Sequence, residues 1–270
     1  SAMRKGMEQA AKDLNVELRF LTPAEDNSAV EQVQLLEHEV SGAAPAILLI
    51  PADREALGEA VSAAAGKTTL VTVSAEWPEP LPTPHVPATA SISMDHQALG
   101  EALGKAALNG VPFGGTVLLL DSLPGDNGVR ERMEAAKALL EEKGRQVRIY
   151  RWTSDSTAFA NILRIERPKA VIAFEAAALT EMAELSRGEE AFPLLYGCGS
   201  TAGIAAALEK GRVTAIAAVN VFSAGYLAVE AATKLARHES WTGGPSVGFS
   251  IVRQETMYSS DNQKLLFPVT

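Results

Sequence analysis

The chain has one cysteine among its 270 residues, Cys198, so it has no disulfide framework and no zinc site built from several thiolates. It also has no run of about 18 consecutive apolar residues, the length that predicts a membrane-spanning helix. Lysine and arginine form no cluster, and the formal net charge of −9 argues against binding to nucleic acid. These absences exclude a disulfide-stapled domain, an integral membrane helix and a typical nucleic-acid binder.

The sequence also lacks the common motifs of catalytic sites. The HExxH, P-loop, GxSxG and EF-hand patterns are absent, and the four histidines form no pair at the spacing of metal ligands. No histidine has a sequence context that suggests a general base for Cys198. We therefore expect no metal, no cofactor and no catalytic activity.

What is present is an ordinary globular composition, with 47% hydrophobic and 21% charged residues. Short apolar strands alternate with helical patterns at spacings typical of βαβ units. The predicted strands are 16–21, 46–50, 69–73, 89–93, 116–120, 147–152, 170–174, 192–196, 213–219 and 247–252. The predicted helices are 3–14, 29–40, 54–65, 96–108, 127–143, 157–165, 177–187, 201–210 and 224–237. The sequence thus predicts an α/β protein with mostly parallel, doubly wound sheets.

One stretch, 114–133, has the form of a ligand site. A short apolar strand is followed by a polar, glycine-rich loop and then by a helix that carries Arg130 and Arg132. In open α/β sheets, ligands bind beyond the carboxyl ends of strands, where helix N-termini offer free backbone N–H groups. The same unit recurs along the chain, so this stretch is predicted to form one wall of a cleft.

Seven side chains near predicted strand ends or helix starts are candidate ligand contacts. They are Asp95, Asp121, Arg132, Trp152, Glu175, Asn220 and Phe222. Arg132 suits a bidentate contact to hydroxyls or a carboxylate, or a surface pairing with neighbouring glutamates. Asp95 and Glu175 could each contact a ligand, and for Glu175 a polyol or an amine is the suitable kind. Each could instead stabilise the start of the helix that follows it. Trp152 suits the face of a sugar or a place in the core.

Residues 197–203, GCGSTAG, allow a second interpretation. They follow a predicted strand and precede a predicted helix, as a relaxed dinucleotide-binding loop would. The spacing is GxGxxxG, however, and the next strand ends at Asn220 rather than at an acidic residue. A nucleotide-dependent enzyme is therefore the weaker alternative, and Cys198 is expected to be a small residue packed in a tight turn.

Six stretches, spread in order over nearly the whole chain, carry a family resemblance. They are RKGMEQAAK at 4–12, AILLIPAD at 46–53, MDHQALG at 94–100, RER at 130–132, LEKGR at 208–212 and GYLAVE at 225–230. Together they resemble the type I periplasmic-binding-protein superfamily, close to ribose-type sugar-binding proteins and the effector domains of LacI-type repressors. The resemblance implies two Rossmann-like lobes joined by three hinge strands, with the ligand between them. Residues 1–93 and 221–246 would form the N-terminal lobe, and 94–220 and 247–270 the C-terminal lobe.

The resemblance also implies a function. It indicates an extracytoplasmic solute-binding protein of an ABC-type importer, which binds a sugar or polyol and is recognised by a membrane permease or a sensor protein. The alternative is a ligand-sensing domain, either the effector domain of a LacI-type regulator, which would be cytoplasmic, or an extracytoplasmic sensor. Arg132 and Asp95 stand at positions of the family's polar contacts, and Ser74 stands where the family often has an aspartate.

The sequence departs from the family pattern in its first element. The family has a strand and an aromatic-bearing loop before the helix that here starts at Met3, and neither is seen in this sequence. We expect neighbouring strands to lack backbone partners and an apolar face to be exposed.

Overall fold

Helices and strands alternate through this computed structural model, which describes residues 2–25, 28–73, 88–124, 126–188, 191–241 and 246–267. The helices are α1 (Ala2–Leu14), α2 (Ala29–Ser41), α3 (Arg54–Ala65), α4 (His96–Leu108), α5 (Asn127–Glu142), α6 (Ser156–Glu166), α7 (Ala176–Leu185), α8 (Ala202–Glu209), α9 (Val221–Ala236) and α10 (Ser260–Leu266). The strands are β1 (Ala46–Leu49), β2 (Thr69–Val73), β3 (Thr89–Ile92), β4 (Thr116–Asp121), β5 (Gln146–Arg151), β6 (Ala170–Ala173), β7 (Leu194–Cys198), β8 (Ala215–Val219) and β9 (Phe249–Arg253). The chain divides into two units, Ser1–Met94 with Asn220–Val247, and Asp95–Val219 with Gly248–Thr270.

The first unit contains a parallel sheet in the order β1-β2-β3. All five positions of β2 are buried, because this strand has a neighbour on each side and the helices α3 and α9 pack against it. The α9 helix packs against all three strands and against α1. Elsewhere in this unit, α2, α3, β1 and β2 enclose a hydrophobic cluster. It consists of Leu36, Leu49, Leu57, Val61, Ala64, Ala65 and Leu70.

Two glycines allow α1 and α9 to approach each other closely. A Cβ atom on Gly6 would lie 2.0 Å from the Phe222 carbonyl oxygen, and one on Gly225 would lie 2.1 Å from the Met3 carbonyl oxygen. Neither distance is compatible with a side chain. Glycine weakens a helix interior, so close packing is the reason for its presence at both positions.

The predicted strand 16–21 is wrong. Among the described residues, no strand pairs with this segment or with the outer edge of β1. Segment 17–23 and the β1 stretch 44–50 instead line one groove of about 430 Å³. Phe20, Leu21 and Ile50 are 38–44% exposed in it. Residues 16–21 do alternate between apolar and polar side chains, but a strand also requires a partner for its backbone N–H and C=O groups.

The second unit contains a six-stranded sheet in the order β5-β4-β6-β7-β8-β9. All pairs are parallel except β8 with β9, which is antiparallel. Every residue of β6 and of β8 is buried, which agrees with their continuous apolar sequences. The predicted α/β class with mostly parallel sheets is confirmed.

The predicted elements differ from the observed ones mainly at their ends. The helix predicted at 224–237 begins at Val221, because the Asn220 side chain accepts a hydrogen bond from Ser223 N and caps it. The short helix α10 has no predicted counterpart, and only Leu266 is buried on it. Within the part of the chain that the structure describes, no helix combines the length and apolar character needed to cross a bilayer.

Candidate functional site

The order of strands in the second unit marks one position for a ligand. From β4 the chain runs to β5 on one side and then returns to β6 on the other side of β4. Ligands of open α/β sheets bind beyond the carboxyl ends of the strands at such a reversal. Ser122 follows β4 and Glu175 lies just beyond β6, and the Ser122 hydroxyl donates to Glu175 Oε1 at 2.9 Å. The two strand ends are therefore joined directly.

Glu175 is held firmly by the start of α7. Its Oε2 accepts a hydrogen bond from Ala177 N at 2.6 Å, and its Oε1 accepts one from Ala178 N at 2.8 Å. The Glu175 carboxylate thus caps α7, which was one of the two roles predicted for it. Its contact with a ligand remains a prediction.

Arg132 is the most buried charged residue of the described chain, with 2% of its surface exposed. Its Nε donates to His96 Nδ1 at 3.0 Å, and its Nη1 donates to the Phe174 carbonyl oxygen at 2.8 Å. Nη1 also lies 3.5 Å from the Cys198 sulfur. The guanidinium group therefore connects α4 and α5 with the carboxyl ends of β6 and β7. The alternative of a surface arginine that pairs with neighbouring glutamates is wrong, because the side chain is buried.

Glycines on α4 bring the backbone of α5 to this place. A Cβ atom on Gly100 would lie 2.1 Å from the Arg132 carbonyl oxygen, and one on Gly104 would lie 3.2 Å from the Ala136 carbonyl oxygen. His96, Gly100 and Gly104 are four residues apart and share one face of the helix. The close approach that the glycines permit therefore brings His96 to the Arg132 side chain.

Sequence reasoning missed His96, which is 5% exposed. Burial, and then the nearby Arg132 charge, lower its pKa from 6.5 to about 4, although the Asp95 carboxylate acts in the opposite direction. The imidazole is therefore neutral at pH 7. Its position in the sequence could have indicated its role, because His96 directly follows the capping residue Asp95 and lies one turn before the glycine pair Gly100 and Gly104 on α4.

The two predicted aspartates of this unit already have protein partners. Asp95 is exposed and caps α4, since its Oδ1 accepts from Ala98 N at 2.8 Å. Asp121 ends β4 and forms an ion pair with Arg151 at 2.8 Å. A ligand role for either remains a prediction.

Of the two roles considered for Trp152, the structure shows the place in the core and not the sugar platform. Its side chain belongs to the core of the second unit and is 7% exposed. The ring packs edge-on against Phe159, with centroids 5.4 Å apart, and Nε1 donates to Glu181 Oε2 at 2.7 Å. Both the indole ring and its N–H group therefore have partners within the protein.

The remaining candidates belong to the first unit. Asn220 caps α9, and Phe222 is half-buried in the first turn of that helix, with its carbonyl oxygen against Gly6. Ser74 lies outside the described residues. Ligand contacts by these three side chains remain predictions.

Two of the three glycines in 197–203, Gly197 and Gly199, are required by packing within the protein. A Cβ atom on Gly197 would lie 2.7 Å from the Ala173 carbonyl oxygen. Gly199 has a φ of +144°, and its Cβ would lie 2.6 Å from Ile204 Cδ1. Cys198, predicted in a tight turn, ends β7 and contacts the Arg132 guanidinium group. Among the described residues, no group of three or more His, Cys, Asp or Glu side chains is placed to hold a metal ion.

A comparison with protein families matches residues 1–240 to the family described as periplasmic binding protein domain. The chain belongs to this family. The resemblance to type I periplasmic binding proteins is thereby confirmed. A comparison with curated proteins found no match.

Solved structures of this superfamily share the fold. A carbohydrate transporter solute-binding protein from Agrobacterium radiobacter, in complex with D-arabinose, has a TM-score of 0.84 at 17% identity, over 98% of this chain and 93% of that one. An ABC transporter solute-binding protein from Agrobacterium vitis with bound D-fucose has a TM-score of 0.81 at 17% identity, over 99% and 96%. A chain of a XylFII–LytSN complex has a TM-score of 0.78 at 16% identity, over 94% and 92%. At these identities the likeness shows the fold alone.

Proposed function

We propose that this protein is the solute-binding component of an ABC-type importer, that it acts outside the cytoplasm, and that it binds a sugar or a polyol. The observation that carries the proposal is the buried Arg132 at the carboxyl ends of β6 and β7. Its family and the sugar complexes among its structural neighbours support the same conclusion.

The chemistry of Arg132 suits a sugar. A guanidinium group presents several N–H donors in one plane, and hydroxyl and ring oxygens of a sugar accept such hydrogen bonds. The contacts to His96 and Phe174 fix the orientation of that plane before a ligand arrives, which reduces the entropy lost on binding. The proposed role is binding without chemistry, as in the binding proteins that the chain resembles.

The proposal includes a protein partner that recognises the bound form, and a membrane permease is the first candidate. A sensor protein is the second, because one structural neighbour is a XylFII–LytSN complex. The effector domain of a LacI-type regulator has no observation of its own in its favour.

Calorimetric titration with D-arabinose, D-fucose and mannitol tests the proposal. We expect at least one of these probes to bind, and Arg132→Lys to weaken that binding tenfold or more, because a lysine keeps the charge but loses the planar donors. Tenfold corresponds to about 1.4 kcal/mol, close to the lower end of the range of about 1.5–3 kcal/mol for a hydrogen bond to a charged group.

Arg130→Lys is the matched control, since Arg130 is exposed on the same helix. It should leave the affinity within twofold. Far-ultraviolet circular dichroism must show both variants folded. Binding of nucleotides or amino acids, with none of sugars or polyols, would refute the proposal.

A further inference from the structure

The second ring nitrogen of His96 is a buried polar atom without a partner. Among the residues that the structure describes, Nε2 is the only buried side-chain nitrogen or oxygen that has no hydrogen bond. Leaving a buried donor or acceptor unsatisfied costs about 1–3 kcal/mol, so such atoms are rare in native proteins. The position of this atom, on the side chain that holds Arg132, requires an explanation.

The contact with Arg132 determines what Nε2 can do. Arg132 Nε carries a hydrogen and donates it to His96 Nδ1, so Nδ1 has no hydrogen of its own. A neutral imidazole has one N–H group, and it is therefore on Nε2. This nitrogen is a donor, and it needs an acceptor.

We propose that the Nε2–H group of His96 donates a hydrogen bond to an oxygen of the bound sugar, next to the contacts made by Arg132. This inference rests on the proposed function and adds a residue that determines specificity. Both groups are donors, so the ligand presents acceptor oxygens to this part of the site. An amine, which the Glu175 carboxylate alone would permit, is disfavoured here by the Arg132 charge and by the lack of a matching acceptor on His96.

Two amide substitutions separate the two ring nitrogens. In His96→Asn, the amide oxygen reaches the position of Nδ1 and can still accept from Arg132, but no donor replaces Nε2–H. In His96→Gln, the amide nitrogen reaches the position of Nε2 and keeps the donor. For D-arabinose or D-fucose, whichever the wild type binds, we expect His96→Asn to weaken binding tenfold or more. His96→Gln should weaken it less than His96→Asn does, although Arg132 Nε then loses the acceptor that Nδ1 provides.

A series of monodeoxy derivatives of that sugar distinguishes a direct contact from a structural effect. Removal of the accepting oxygen should weaken binding to the wild type but should have little further effect in His96→Asn, because the hydrogen bond is already lost. Equal affinity of His96→Asn and wild type overturns the inference, as does a deoxy series whose effects are the same in both. If the wild type binds no sugar or polyol, the proposed function fails first, and this inference fails with it.

Discussion

Acidification should destabilise the second unit through His96. Its pKa is lowered from 6.5 to about 4 in the folded protein, first by burial and then by the Arg132 charge. Between these two values the unfolded chain binds a proton that the folded chain does not, so the free energy of unfolding decreases as the pH falls. The loss begins near pH 6.5 and is complete near pH 4. A gap of about 2.5 units, at about 1.4 kcal/mol per unit, gives about 3 kcal/mol.

Urea unfolding at several pH values between 7 and 4 measures this effect. Trp152 lies in the core of the second unit and reports on it by fluorescence, once Trp77 and Trp241 have been replaced by phenylalanine. Carboxyl groups also titrate in this range, so the informative quantity is the difference between the wild type and His96→Asn. We expect the wild type to lose about 3 kcal/mol more than the variant.

The control replaces a histidine elsewhere. His38 is exposed in the last turn of α2, in the first unit, and His38→Asn should follow the wild-type pH profile of the Trp152 signal. A parallel loss of stability in wild type and His96→Asn would refute the reasoning, because it would mean that His96 is not kept neutral by its surroundings.

Two further outcomes are expected from substitutions in the second unit, with one control in the first. Gly100→Ala should lower the free energy of unfolding by about 1–3 kcal/mol and weaken sugar binding, since a Cβ there would displace α5 at Arg132. Gly58→Ala on α3, with nothing within 4 Å of its Cβ, should be neutral or stabilise the first unit by up to about 1 kcal/mol, measured by urea unfolding followed by far-ultraviolet circular dichroism. Trp152→Phe should destabilise by about 1–3 kcal/mol, because the Glu181 carboxylate loses its indole donor, yet calorimetry should find sugar affinity unchanged.

Periodicity was enough to predict most of the fold, because buried parallel strands are continuous apolar runs and their helices carry capping residues. The start of α3 illustrates this, since Asp53 directly precedes the predicted helix 54–65 and its side chain accepts a hydrogen bond from Ala56 N. The strand prediction for 16–21 was wrong because strand formation also depends on residues far away in the sequence. Alternation records which side chains face inward, but a strand also needs a neighbour, and the local pattern carries no information about one.

The site was harder to predict than the fold, for the same reason. Arg132 became a candidate because it follows a strand and a polar loop, whereas its burial depends on the close approach of α4 at Gly100, which is 32 positions earlier in the chain. His96 was missed because a single histidine has no spacing to match. The role of Trp152 stayed open because its position at a strand end fits both a platform and a core residue, and its contacts with Phe159 and Glu181 decide between them.

The groove beside β1 also bears on how this protein associates with other chains. Among the residues that the structure describes, no strand pairs with the outer edge of β1, which adjoins the exposed apolar side chains Phe20, Leu21 and Ile50. An unpaired sheet edge is a template for a strand from another polypeptide. Sheets commonly resist such pairing with charges at the edge, and the ion pair between Arg19 and Glu39 lines this groove. Removal of that charge pair would leave Glu17 as the one charged side chain among the described residues of this groove, and the edge would be less protected against pairing with a strand of another chain.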